Sequence, residues 1–348
     1  MIKAIPMMYP YSCNNFSSLK FECIMMINKV KWTTLGLIGL LALNGCNTDG
    51  DQGIDPSGEN GRLKVEMTDA PVDEASVKGV FVTVTEVRVD GKKWEAFQGP
   101  KTVNLLELQG GKTATLSEGN VGAGSFSRMT FVLNHERDAS GNSPGCYVLR
   151  QDNTKNRLDV SGSATTDLEV KGSRFDVPEG QPQTMVVDFD LRKAIKAQSS
   201  SGSNYAFVTK GELESSVRYV KKDKAGSITG KLTNYNESVN GKAVAYVYAK
   251  GTFNQSTETK GQGSSNIQFK NCVTSAKVNA DGSFTAAFLN EGDYELHVAT
   301  YRQESSGKLT LNAFLDLGSS ANLNTISVKA NTQTSLSVSI KGILGGIL

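Results

Sequence analysis

The chain is poor in the residues that most often carry chemistry. Its 348 residues include two histidines, five cysteines, two tryptophans and eight prolines, and no proline follows Pro182. His135 and His297 lack the paired spacing of zinc sites, so each reads as a strand residue rather than a ligand. No apolar run reaches the roughly 20 residues that cross a bilayer as a helix, which excludes a polytopic chain. Neither sign of charge dominates: 37 Lys and Arg face 35 Asp and Glu, a formal +2. The excess lies in residues 1–46, which hold four lysines and one glutamate, leaving the remainder at −1. A nucleic-acid partner therefore has no electrostatic footing. With 38% hydrophobic residues and a mean hydropathy of −0.29, the chain is globular and long enough for two or three domains.

The scarce cysteines point to a compartment. Residues 26–45 place Lys29 and Lys31 before an apolar stretch, Trp32 to Leu43, that ends in small residues at Gly45-Cys46. That is the layout of a secretory signal. Leu43-Asn44-Gly45-Cys46 resembles the bacterial lipobox, with Asn44 standing where a small or β-branched residue is usual. The resemblance implies that the Cys46 thiol is acylated and becomes the first residue of the mature protein. Several acyl chains would anchor it stably, where one would not. Residues 1–25 show neither pattern and read as an over-extended start. Residues 46–60, rich in Gly, Asp, Asn and Pro, read as a flexible stalk. Asn47 after the cysteine favours the outer membrane over retention at the inner one.

Beyond the stalk, short alternating runs are separated by turn signals, an all-β pattern. Leu63, Val65 and Met67 alternate with Arg62, Lys64 and Glu66, and Met129, Phe131 and Leu133, like Met185, Val187 and Phe189, recur at every second position. In Val77 to Val89 the apolar parity changes between Val84 and Val87, which predicts a bulge near Glu86. Asp90-Gly91 predicts a hairpin into a strand over Trp94 to Phe97, with the tryptophan in the core. Leu191 to Gln198 reads as a short helix, and Gly251 to Ser265 as a mobile loop.

The segment opening GRLKVEMTDAPVDEASVKGVFVTVTEVRVDGKKW, the Ser127 to Leu133 strand, and VVDFDLRKAIK followed by Tyr205 to Val208 resemble a bacterial family known as domain of unknown function 4382. The likeness covers residues 61–222 and implies a β-rich envelope module without assigned activity. A second unit over residues 226–341 carries KAVAYVYAK, a turn at Asp281-Gly282, LNEGDYELHV, and a last strand with Leu336, Val338 and Ile340. It looks like the regulatory β-sandwich of carboxypeptidases and transthyretin-like modules. Two tandem antiparallel β-sandwich-like domains are thus expected.

Candidate chemistry is sparse. Gly141-Asn142-Ser143-Pro144-Gly145 fits the nucleophile-elbow pattern, but its neighbours predict a hairpin loop. Gly110-Gly111-Lys112-Thr113 lacks the first glycine of a phosphate loop and reads as a turn. Asp69, Asp188 and Asp190 offer oxygen ligands of the calcium type. The alternation instead makes Asp188 and Asp190 the polar face opposite Val187 and Phe189, with Asp69 bonded to its own turn. Cys146 and Cys272 are left to pair across the two units, which an oxidising compartment permits. No cofactor is implied.

The expectation is a non-catalytic, lipid-anchored envelope protein, structural, adhesive or binding. Its partners would be the membrane through its lipid and an envelope protein or polysaccharide. The alternatives are an envelope hydrolase or metal-dependent enzyme using Ser143 or the three aspartates, and a carbohydrate-binding accessory protein.

Overall fold

Leu63, Val65 and Met67, which alternate with charged residues in sequence, are wholly buried on one face of the strand Asn60–Ala70. The computed structural model describes residues 60–70, 77–198, 204–305 and 308–346. The signal, Cys46 and the stalk up to residue 59 lie outside the described residues, and Asn60, assigned to the stalk, opens the first strand. The protein is all-β. In its first body, Asn60–Ala70 runs parallel to Pro182–Asp190, with Val65 opposite Met185, and antiparallel to Ala114–Gly122. Val217–Lys221 completes this four-stranded sheet on the far side of Pro182–Asp190. A seven-stranded sheet faces it, centred on Val77–Val89 between Met129–Asn134 and Tyr147–Arg150. One apolar core, including Met67, Val82, Phe131, Phe175 and Phe189, fills the space between them. Each such side chain stabilises the fold by roughly 1.5–3 kcal/mol through removal from water.

The parity change in Val77–Val89 is a register shift between Val84 and Glu86, as the sequence pattern requires. Asp90 and Gly91 both take left-handed conformations (φ 48° and 81°), the turn that suits a right-twisted hairpin. The returning strand is short. Only Lys92–Lys93 pairs, and the chain then turns at Trp94, so the strand expected over Trp94 to Phe97 does not form. Trp94 is 2% exposed and its indole N–H donates to the Asn120 carbonyl at 2.8 Å. That bond satisfies the one donor of the buried indole.

The second body is one eight-stranded sheet. Its main path runs Thr274–Lys277, Lys242–Ala249, Gly292–Gln303, Leu309–Ser319, Gln333–Gly346, Ala225–Thr233, Ser283–Asn290. Gly282 (φ 82°) turns the chain between the two terminal strands of that path, and a Cβ there would meet the Leu232 carbonyl at 2.3 Å. The strand Lys242–Ala249 is buried on both faces. Ala243, Ala245 and Val247 enter a core with Leu232, Phe284, Leu296 and Val338. Val244, Tyr246 and Tyr248 enter another with Phe269, Cys272 and Phe314.

Two local expectations need correction. The helix at Leu191 is a single turn, Leu191–Ala194, because Ile195–Ala197 pairs as a strand with Tyr205–Phe207. The segment read as a mobile loop is pinned. It holds the helical turn Gln255–Glu258, whose Glu258 is 1% exposed and accepts from Tyr248 Oη at 2.8 Å, from Asn271 N at 3.1 Å and from Asn271 Nδ2 at 2.6 Å.

Candidate functional site

Ser143 is exposed in the loop between Met129–Asn134 and Tyr147–Arg150. Asp138 Oδ1 shapes that loop by accepting from Ser140 N and Asn142 N at 2.9 and 2.8 Å. The serine sits on no strand-to-helix elbow, so a nucleophile has no scaffold there. Gly110 and Gly111 have φ of 71° and 87° and make a turn.

The aspartates are more informative. Asp69, Asp188 and Asp190 are all buried, at 6%, 4% and 5% exposure. Opposing Val187 and Phe189 does not put Asp188 and Asp190 in water, because the outer face of the four-stranded sheet is covered by the second body. There Val186 and Val220 pack with Ala225 and Phe288. Charged side chains surround this apolar island. Arg218 reaches Asp188 Oδ2 at 2.6 Å with one guanidinium nitrogen and donates to the Phe288 carbonyl at 2.9 Å with the other. Lys193 lies 3.0 Å from Asp190 Oδ2 and donates to the Cys272 carbonyl at 2.6 Å. Arg192 donates to Tyr246 Oη, which bonds Tyr301 Oη, while its guanidinium lies 4.4 Å from the Tyr246 ring centre and 5.4 Å from that of Phe269. Glu212 accepts from Ser265 N at 3.1 Å and Ser265 Oγ at 2.6 Å. The bonds of Arg192 to Tyr246, Lys193 to Cys272, Arg218 to Phe288 and Glu212 to Ser265 each join a charge of the first body to a polar group of the second, the geometry of a latch, while Asp188 and Asp190 pair with cations of their own body.

The electrostatics follow from burial. Desolvation raises Asp188 above the usual carboxylate range against the pull of Arg218, and Asp190 adds to the rise. Burial works against the Lys193 ammonium, yet Asp190 outweighs it and the pKa goes up. Asp69 is driven well up by burial and by the charges of Asp188 and Asp190. Its Oδ1 accepts from Leu191 N at 3.4 Å, and Oδ2 has no hydrogen-bond partner within bonding geometry. By strand alternation Asp69 shares the core-facing side of Met67, whereas Asp188 lies on the opposite side with Val186. The three carboxylates are thus split across the sheet. Among the described residues no group of three His, Cys, Asp or Glu side chains is placed to hold a metal ion.

The expected Cys146–Cys272 bridge is absent. Both thiols are free and buried, Cys146 in the first core and Cys272 behind Lys193 in the second body. A disulfide requires bonded sulfurs about 2.05 Å apart, and these sit in separate clusters. Burial pushes Cys146 up to about 12 and Cys272 to about 11. His135 is fully buried, its Nε2 2.9 Å from Thr166 Oγ1, and desolvation lowers it to about 4. His297 stacks on Phe253 with ring centres 3.7 Å apart.

Arg192, Lys193 and Arg218 are the residues that sequence reasoning missed. They read as ordinary solvated charges because their partners in the second body lie 54 to 79 residues away in the chain. The nearest available signal was a capping box, Thr209-x-x-Glu212, which starts the helix Lys210–Ser215 between the junction elements.

An open cavity of about 650 Å³ lies beside the latch, walled by Leu191, Arg192, Lys196 and Tyr205 on one side and by Ser265, Asn266, Lys308 and Leu309 on the other. No helix among the described residues is long and apolar enough to cross a membrane.

Residues 60–208, most of the first body, match the family described as Domain of unknown function (DUF4382). No curated protein matches the chain. Among solved structures it is similar to the Bacillus anthracis TIE protein, at 11% identity over 80% of this chain and 34% of that one, with a TM-score of 0.18. It is also similar to BcpA, the major pilin subunit of Bacillus cereus (12% identity, 82% of this chain, 71% of that one, TM-score 0.19). A third is GBS52, a minor pilin of Streptococcus agalactiae (8%, 82%, 98%, TM-score 0.20). The chain spans about a third of the length of the first of these.

Proposed function

We propose that this protein is a lipid-anchored module of the cell envelope, moored at the outer membrane through acylated Cys46, which works by holding or binding an envelope partner. Residues 46–60 serve as its tether and the two β bodies as its working part, the second being of the carboxypeptidase-regulatory kind. The observation that carries this reading is the use to which the chain puts its buried charges. Asp188, Asp190, Arg192, Lys193 and Arg218 are bonded to one another or to the second body. Charges so consumed cannot change partners during a catalytic cycle without loosening the junction. They are suited to keeping two bodies in one fixed relation under load, which a structural or adhesive module needs.

The test is metabolic labelling with an alkyne fatty acid followed by membrane fractionation. The wild type is expected to carry label and to sediment with outer membranes, and Cys46→Ala to lose both. An unlabelled wild type found among freely soluble proteins would overturn the reading.

A further inference from the structure

We infer that the cavity beside the latch is a binding site for an anionic saccharide, a sugar bearing carboxylate or phosphate. The inference rests on the binding-module reading above and gives its ligand a chemical class. At about 650 Å³ the cavity is in the range of sites that enclose small molecules. Three cationic side chains, Arg192, Lys196 and Lys308, converge on it, and no aspartate or glutamate lines it among the described residues. Lys196 is the decisive one. The residue is half-buried, its ammonium donates to the neutral hydroxyl of Ser265 at 3.3 Å, and no described carboxylate forms an ion pair with it. The nearby carboxylate, Glu212, is turned onto Ser265 and Thr209. Burial opposes its charge, but the bonds from those two residues hold Glu212 down at about 2. It is therefore an acceptor already in use. The Arg192 guanidinium is held in place over the Tyr246 and Phe269 rings, so the positive wall is fixed in advance of binding.

The remaining lining decides between a bare anion and a larger molecule. Exposed Gln198 and Asn266 bring amides that donate and accept, the pairing that sugar hydroxyls require. Half-buried Leu309 gives an apolar wall for the C–H face of a ring. A free phosphate would use the cations and leave both features idle.

Calorimetric titration of the full chain in detergent at low ionic strength tests this, with trigalacturonate, glucose 6-phosphate and neutral maltotriose as probes. At least one acidic probe should bind saturably, its identity telling carboxylate from phosphate, and maltotriose should not. Lys196→Gln and Lys308→Gln should each weaken binding by at least about tenfold, a change of about 1.4 kcal/mol. Lys196→Arg, which keeps the charge, should retain it, which separates loss of charge from misfolding. Absence of binding by both acids, equal binding of maltotriose, or indifference to Lys196→Gln and Lys308→Gln would overturn the inference. Those outcomes leave the Cys46 labelling result untouched, so the two readings fail separately.

Discussion

The two β bodies reach stability by different layouts. The first closes one core between two sheets and leaves the outer face of its smaller sheet polar, with Glu66, Asp188 and Asp190 buried there. The second wraps a single sheet around one core and keeps a separate aromatic cluster on the other side. The first body pairs these carboxylates with its own cations, Glu66 with Lys64 and Lys222, Asp188 with Arg218 and Asp190 with Lys193, and the second body accepts the remaining donors of Lys193 and Arg218. The second body supplies mostly backbone carbonyls and tyrosine hydroxyls in return. A polar face can thus be interior when its charges are paired within one body and another body accepts the donors left over.

Perturbing the two layouts should separate their contributions. The largest effect is expected from Phe131→Ala, which opens a cavity in the single core of the first body and should cost about 4 kcal/mol in denaturant unfolding. Next comes pH. His135 titrates near 6.5 when unfolded and at about 4 when folded, so the unfolded chain binds the extra proton and stability falls as pH drops through that window. The loss should approach about 3 kcal/mol at pH 4, and His135→Gln should flatten this acid limb in urea titrations.

Arg218→Ala strands Asp188 against the second body. Because the guanidinium is about a fifth exposed, we expect a loss of about 2 kcal/mol, smaller than for a fully buried pair. Arg218→Met combined with Asp188→Leu should recover much of it, and a double-mutant cycle measures the coupling. Asp69 has the opposite pH sign to His135. Its raised pKa means that the folded state holds the extra proton, so its contribution is lost as pH rises through the folded value. Asp69→Asn should remove that decline. Gly282→Ala should cost at least about 1 kcal/mol in denaturant unfolding from the left-handed φ alone, and more from the 2.3 Å approach to the Leu232 carbonyl, which is backbone and must shift.

Much of the fold was legible because alternation and turn chemistry are local. The bulge near Glu86 and the Asp90-Gly91 turn follow from residues within a few positions of one another. The junction was not legible, since period-two logic assigns Asp188 and Asp190 to the face away from the first core but cannot say that Phe288, a hundred residues on, will cover it. The pinned segment around Glu258 was missed for a related reason. Side-chain bonds to Tyr248 and Asn271 order it, and these leave no periodic trace.

The central claim is that buried charge makes the two bodies one folding unit. Urea unfolding tests it directly, with fluorescence of Trp94 reporting the first body and hydrogen exchange of residues 242–249 reporting the second. The account predicts coincident transitions in the wild type that separate when Lys193 and Arg218 are both replaced by methionine. Separate transitions in the wild type itself would contradict it.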